Sequence, residues 1–125
     1  MLDHVSIGVR DLAAARRFYD AVLAPLGYRC VLDFETALGY GADHAEFWLG
    51  ATEHPVPADD RSGLHISFHA PTRASVDRFH AAALQAGGRD NGGAGLRPDY
   101  GPGYYAGFVY DLDGYRIEAH CAETQ

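Results

Sequence analysis

An internal repeat constrains this chain more than any other feature. His4-Val5-Ser6-Ile7 returns as His65-Ile66-Ser67-Phe68, and the offset of 61 from His4 to His65 then runs on without a gap. It sets Ala13 on Ala74, Arg17 on Arg78, Phe18 on Phe79, Ala21 on Ala82, Leu23 on Leu84 and Gly27 on Gly88. That many identities in one register, through a strand, a helix and the following turn, mark a duplication. Whatever one copy folds into, the other must fold into as well.

Each copy spells out the same elements. Val5, Ile7 and Val9 alternate with His4, Ser6 and Gly8, the period-2 pattern of a half-buried strand. Asp11 is the expected helix cap, and Leu12, Ala15, Tyr19, Val22, Leu23 and Leu26 recur at helical spacing. Pro25 and Gly27 mark the helix end. In the second copy Leu64, Ile66 and Phe68 alternate with His65, Ser67 and His69. Thr72 is the expected cap there, Val76, Phe79, Ala83 and Leu84 form the stripe, and Gly87-Gly88 is the stop. Three short strands should follow each helix. The first set is expected at 28–33, 36–41 and 46–50. The second is expected at 89–90 or 96–97, then 104–111 and 115–121, with an Asp113-Gly114 hairpin turn.

The expected class is therefore α+β, a single domain over 1–125 built of two tandem βαβββ modules. Module one covers 1–50, a Pro- and Asp-rich linker 51–62, and module two 63–121. A net charge of −7 offers no basic face for nucleic acid or an anionic membrane. No apolar run approaches a membrane span and no leader precedes Asp3, so a cytoplasmic protein is expected. Cys30 and Cys121 lie far apart and form no CxxC, so they read as small hydrophobes. The glycines of 91–95 lack the Lys-Ser/Thr of a phosphate loop. Open sheets with exposed edges need partners, and a homodimer is expected.

Of the seven histidines, His44, His54 and His80 read as solvated. His4 and His65 occupy equivalent places near strand starts, on the face away from the helices, with Ser6, Ser67 and His69. On the last strand Arg116, Glu118 and His120 share one face. His4, His65 and Glu118 thus form the ligand set of a facial triad for one divalent metal ion (Fe, Mn, Zn or Ni). Against this stands the reading that the paired histidines are relics of the duplication in a polar pocket. Around them Arg97, Tyr100, Tyr104 and Tyr105, with Trp48 opposite, are candidate walls for a small, partly apolar, oxygen-bearing or anionic molecule. The alternatives are a surface hairpin of tyrosines and a core tryptophan.

The opening His4-Val5-Ser6-Ile7-Gly8-Val9-Arg10-Asp11-Leu12, then Phe18-Tyr19 with Leu23 and Gly27-Tyr28, resembles that of the vicinal oxygen chelate superfamily (glyoxalase, bleomycin resistance protein, dioxygenase). Asp111-Leu112-Asp113-Gly114-Tyr115-Arg116-Ile117-Glu118 resembles its closing motif, with Leu112 where proline is usual. The resemblance implies a curved mixed-sheet cup formed by paired modules, within one chain or exchanged between two. It also implies metal ligands at His4, His65 and Glu118. The family's fourth ligand position falls on Trp48 when Asp43–Gly50 is set against Asp113–His120; a slip of two residues would bring Glu46 there instead.

Those departures bear on the reaction. Glyoxalase-type proton transfer uses a carboxylate where Trp48 stands, and an indole cannot accept a proton. Extradiol dioxygenases carry a tyrosine where this chain has Phe108. Fosfomycin-modifying thiol transferases use a cation beyond the last strand, where this chain has Ala122–Gln125. The sequence-level expectation is a divalent-metal-dependent enzyme of lyase, isomerase, dioxygenase or transferase type that chelates a small substrate through vicinal oxygens. The alternative is a metal-free small-molecule sequestration protein of the bleomycin-resistance type.

Overall fold

A computed structural model describes residues 1–122. Of the tail Ala122–Gln125, which bears no cation, positions 123–125 lie outside the described residues. Strand β1 (Val5–Val9) leads into helix α1 (Leu12–Leu23) and a 3-10 turn (Ala24–Leu26), then β2 (Arg29–Asp33), β3 (Ala37–Gly41) and β4 (Phe47–Ala51). After a second 3-10 turn (Asp60–Ser62) the order recurs: β5 (His65–His69), α2 (Arg73–Gln85), β6 (Arg89–Asp90), β7 (Gly95–Leu96), β8 (Tyr105–Tyr110) and β9 (Arg116–Cys121).

Both helices begin where a short polar side chain competes for the first free backbone N–H groups. Asp11 accepts from Ala14 N. Thr72 and Ser75 form a reciprocal capping box, each such cap being worth about 1 kcal/mol.

The first module forms a four-stranded sheet in the order β1-β4-β3-β2, with β1 and β4 parallel and the other pairs antiparallel. The second forms the order β5-β9-β8-β6, again with its first pair parallel. Where the sequence offered 89–90 or 96–97 for one strand, the structure has two short strands, β6 and β7, each pairing with β8. The Gly-rich stretch between them breaks the ladder: Asn91 N and Phe108 N still bond across it, to Phe108 O and Gly92 O.

Strand parity sorts the side chains. Ile7, Val9, Leu38, Tyr40, Phe47 and Leu49 from the first sheet face the helices, as do Phe68, Val109, Ile117, Ala119 and Cys121 from the second. They merge into one core with Phe18, Tyr19, Val22, Val76 and Phe79. Phe47 meets Phe68 edge-on at 5.0 Å across the modules. Cys121 is buried and Cys30 half-buried, and the two form no disulfide with each other.

Polar ties also cross between the modules. Tyr19 donates to the buried Asp111 carboxylate at 2.5 Å, and Asp111 also accepts from Asp113 N and Tyr115 N. Burial pushes the Asp111 carboxyl up against the lowering effect of these donors, and it pushes the Tyr19 hydroxyl up as well. Tyr28 donates to His69 O, and Tyr115 donates to Gly8 O on the outer edge of β1. β1 and β5 both stand at sheet ends, each with one side lacking a strand partner among the described residues. His80, expected to be solvated, instead bonds Asp90 at 2.9 Å and ties α2 to β6.

Candidate functional site

The faces turned away from the helices carry the chemistry. On the second sheet, register sets Ser67 beside Glu118 and His69 beside His120, with Phe108 and Ala106 flanking on β8. His65 Nε2 lies 2.7 Å from Glu118 Oε1. The other carboxylate oxygen accepts from the Tyr104 hydroxyl at 2.6 Å. Glu118 is 3% exposed, so these two partners replace its water shell. Burial and then the Glu118 bond push the Tyr104 phenol up to about 12, leaving it a donor at neutral pH. Phe108 fills the strand position beside Glu118, and its ring meets His65 edge-on at 6.0 Å. The phenol missing at Phe108 is thus supplied to Glu118 by Tyr104, from a neighbouring loop.

That loop folds back over the sheet. Arg97 sets its guanidinium over the Phe108 ring at 5.1 Å and donates to Gly93 O. Tyr100 packs edge-on against both Tyr104 and Phe108. Arg97, Tyr100 and Tyr104 therefore gather beside His65 and Glu118.

Tyr105, one of the two remaining expected wall residues with Trp48, does not join them. Register pairs it with Cys121, which turns it to the helix side, where it donates to Asp77 on α2 at 2.6 Å. Period-2 counting from Phe108 separates Tyr104 from Tyr105, so the signal was present in the sequence.

His4 is not brought to His65 and Glu118. It precedes β1, is half-exposed, and bonds Asp3 at 2.8 Å. Among the described residues no group of three metal-competent side chains converges within the chain. His4 instead lines a cleft of about 330 Å³ between the modules, with Glu46, Tyr28, Phe47, Phe68 and His69.

On the first sheet Trp48 stands beside Ser6, as Glu118 stands beside Ser67, so the two occupy equivalent places in the repeat. The indole lies over Gly39, where a Cβ would come within 3.0 Å of it, and Phe34 stacks on it at 6.1 Å. Phe34 comes from the β2–β3 turn, and nothing in the sequence pattern pointed to it. Glu46 lies just before β4, with His44 at 3.6 Å.

Comparison with known proteins places this geometry. The family model described as the Glyoxalase/Bleomycin resistance protein/Dioxygenase superfamily matches residues 1–119. The protein YqjT of Bacillus subtilis (strain 168) is 28% identical over 127 residues, covering 94% of this chain and 95% of its own length. A crystal structure of a glyoxalase/bleomycin resistance protein from Albidiferax ferrireducens T118 superposes with a TM-score of 0.85 at 29% identity, covering 97% of this chain and 98% of that one. The fosfomycin resistance protein FosX of Mesorhizobium loti, at 21% identity and a TM-score of 0.68, shares the fold over 97% of this chain and 91% of its own.

Proposed function

The chain belongs to the Glyoxalase/Bleomycin resistance protein/Dioxygenase superfamily, and from that premise we propose that it is a small-molecule enzyme dependent on one divalent metal ion, working as a homodimer. The carrying observation is the close approach of His65 to Glu118 on adjacent strands of an open face. An imidazole nitrogen and a carboxylate oxygen on one face suit Fe(II), Mn(II), Zn(II) or Ni(II). Within one chain, though, the pair has no third donor among the described residues. We assign the third to His4 from a second copy. The unpaired sides of β1 and β5 favour this, since such edges lend themselves to a partner.

A metal held by these residues would supply Lewis-acid chemistry to a substrate bound through two adjacent oxygens. The chain's own residues do the rest. Tyr104 holds the second oxygen of Glu118 and so fixes the carboxylate's rotation. Phe108 stands beside it on β8, with Tyr100 packed on the Phe108 ring. Trp48 supplies no proton acceptor, which favours a reaction other than glyoxalase-type proton transfer, lyase or dioxygenase chemistry among them.

A mixing experiment tests both the metal and the exchange. Each of His4→Ala and His65→Ala should lose zinc by more than tenfold in affinity, since each removes one of three ligands. When the two variants are mixed and allowed to exchange subunits, a site shared between chains is rebuilt intact in one half of every heterodimer. About a quarter of the wild-type zinc content should return under random pairing. Pairing within one chain restores none. Should wild-type protein take up none of the four metals, the metal-free binder becomes the reading, with the stacked Trp48 and Phe34 as its platform.

A further inference from the structure

His120 lies two residues beyond Glu118 on β9 and on the same face, with His69 and Ala106 beside it on the flanking strands. The Tyr104 ring lies flat on its imidazole, centroids 3.6 Å apart and planes within 15°. Under that ring, His120 Nε2 is shut off from solvent and has no hydrogen-bond partner, the one such side-chain atom among the described residues. In either tautomer a buried nitrogen without a partner is destabilising. An atom left so in a native fold calls for a role, such as a bond to a ligand, ion or water.

The cover belongs to a loop that is bonded mainly to itself. Tyr104 ends the loop Arg97–Tyr104, whose backbone bonds run mostly inside it: Tyr100 N to Arg97 O, Gly101 N to Pro98 O, Tyr104 N to Gly101 O. Gly103, immediately before Tyr104, has φ 74°, a conformation a side chain would resist. The Tyr104 hydroxyl donates to Glu118 and also has Ser67 within hydrogen-bond reach, while its ring is held by the stack on His120 and by Tyr100.

We propose that His120 is a ligand-anchoring residue and Tyr104 its removable cover: when the Tyr104 ring swings away, His120 Nε2 donates a hydrogen bond to an oxyanion of a small carboxylate-bearing ligand. The surroundings select that chemistry. The face around His120 offers the donors of Ser67 and His69, and its one carboxylate, Glu118, keeps His65 as its partner when Tyr104 leaves. A ligand rich in acceptors complements such a surface, and a cation does not. The inference rests on the proposed function for the site it occupies, but it needs no metal.

Oxalate serves as the probe, titrated calorimetrically into metal-free wild-type protein and into His120→Phe and Tyr104→Ala. Removing the cover should tighten oxalate binding about tenfold, and removing the anchor should weaken it about tenfold. Long-range proton–nitrogen spectra of the wild-type imidazoles give a readout free of folding artefacts: oxalate should shift His120 Nε2. Equal oxalate affinity in wild type and His120→Phe overturns the proposal. So does an unshifted His120 nitrogen, or the absence of saturable binding to Tyr104→Ala. Zinc titration of wild-type protein runs alongside; its failure would refute the metal reading and leave the oxalate result to stand on its own.

Discussion

Beside Ser6, on the open face of the first sheet, stands Trp48; beside Ser67, at the same place in the second, stands Glu118. Around Trp48 the neighbours are small or aromatic: Gly39 under the indole, Phe34 stacked on it, and Gly8, Gly50 and Ala37 along the same face. Around Glu118 every neighbour brings a donor or a covering ring: His65, Ser67, Tyr104 and Phe108. The repeat kept the backbone register and let the two faces diverge. One now offers surface for an apolar group, the other a buried carboxylate with its hydrogen bonds satisfied. Register comes from strand alternation, which a duplication copies whole, whereas site chemistry changes one side chain at a time.

The turns that close the two sheets differ in the same way, and this gives the largest expected effect. The first sheet turns at Gly41, where the His44 carbonyl leaves no room for a Cβ. The second turns on Asp111, which gathers Tyr19 OH, Asp113 N and Tyr115 N. Asp111→Ala strands all three donors and should cost about 3 kcal/mol or more by urea denaturation. Tyr19→Phe, which removes one bond and leaves the turn intact, should cost about 1 kcal/mol. The pH dependence carries a sign. Burial raises the folded-state pKa of Asp111, so the folded protein holds its proton at higher pH than the unfolded chain does. Its contribution to stability is present below the unfolded value of about 3.9 and declines as pH rises toward the folded value. Wild type should therefore lose stability relative to Asp111→Asn between those limits. A loss under 1 kcal/mol for Asp111→Ala would show that the second turn is no more of an anchor than the first.

Most of this architecture could be read from the chain. The offset of 61, the period-2 strands and the caps at Asp11 and Thr72 rest on local physics, and local physics is written locally. The equivalence of Trp48 and Glu118 followed from aligning the two closing strands, because parallel pairing to β1 and β5 preserves register. What escaped was contact made by loops. Phe34 on Trp48, Tyr104 on Glu118 and the cover over His120 depend on where turns of no fixed period come to rest. The whereabouts of His4 relative to His65 escaped for another reason. Equivalent positions in a repeat share a place in their own module, and nothing in that equivalence brings the two modules' residues together.

A smaller effect probes the packing of the first face. Gly39→Ala would set a Cβ 2.7 Å from the Ala45 side chain and 3.0 Å from the Trp48 ring. The indole can tilt, but only by giving up its stack on Phe34. The expected cost is about 1–3 kcal/mol. Trp48 is the chain's single tryptophan, so its fluorescence should shift to the red as the ring moves toward water. An unchanged emission maximum and unchanged stability would mean that the indole is loosely held and the first face is not a preformed platform.

The smallest expected effect asks whether the two faces can be made alike. Trp48→Glu installs in the first module the carboxylate that Glu118 provides in the second, at a position fixed by pairing with Ser6 as Glu118 is fixed by pairing with Ser67. A metal held by His65 and Glu118 of one copy would, in the proposed dimer, meet the open face of the other copy's first module. A carboxylate there adds a fourth protein donor to a metal that accepts higher coordination. Affinity for Ni(II) or Zn(II) should rise about tenfold, equivalent to about 1.4 kcal/mol. Part of the gain is offset, because the new carboxylate must leave water with no counterpart to Tyr104 beside it. Glu46→Gln is the control: Glu46 is largely exposed, lies before β4 begins and faces His44, so its loss should leave metal affinity unchanged. The opposite pattern, in which Glu46→Gln loses metal and Trp48→Glu gains none, would mean that bound metal draws the segment before β4 into the site. Glu46 would then be the fourth donor, and the first module would carry a proton acceptor that its resting face does not present.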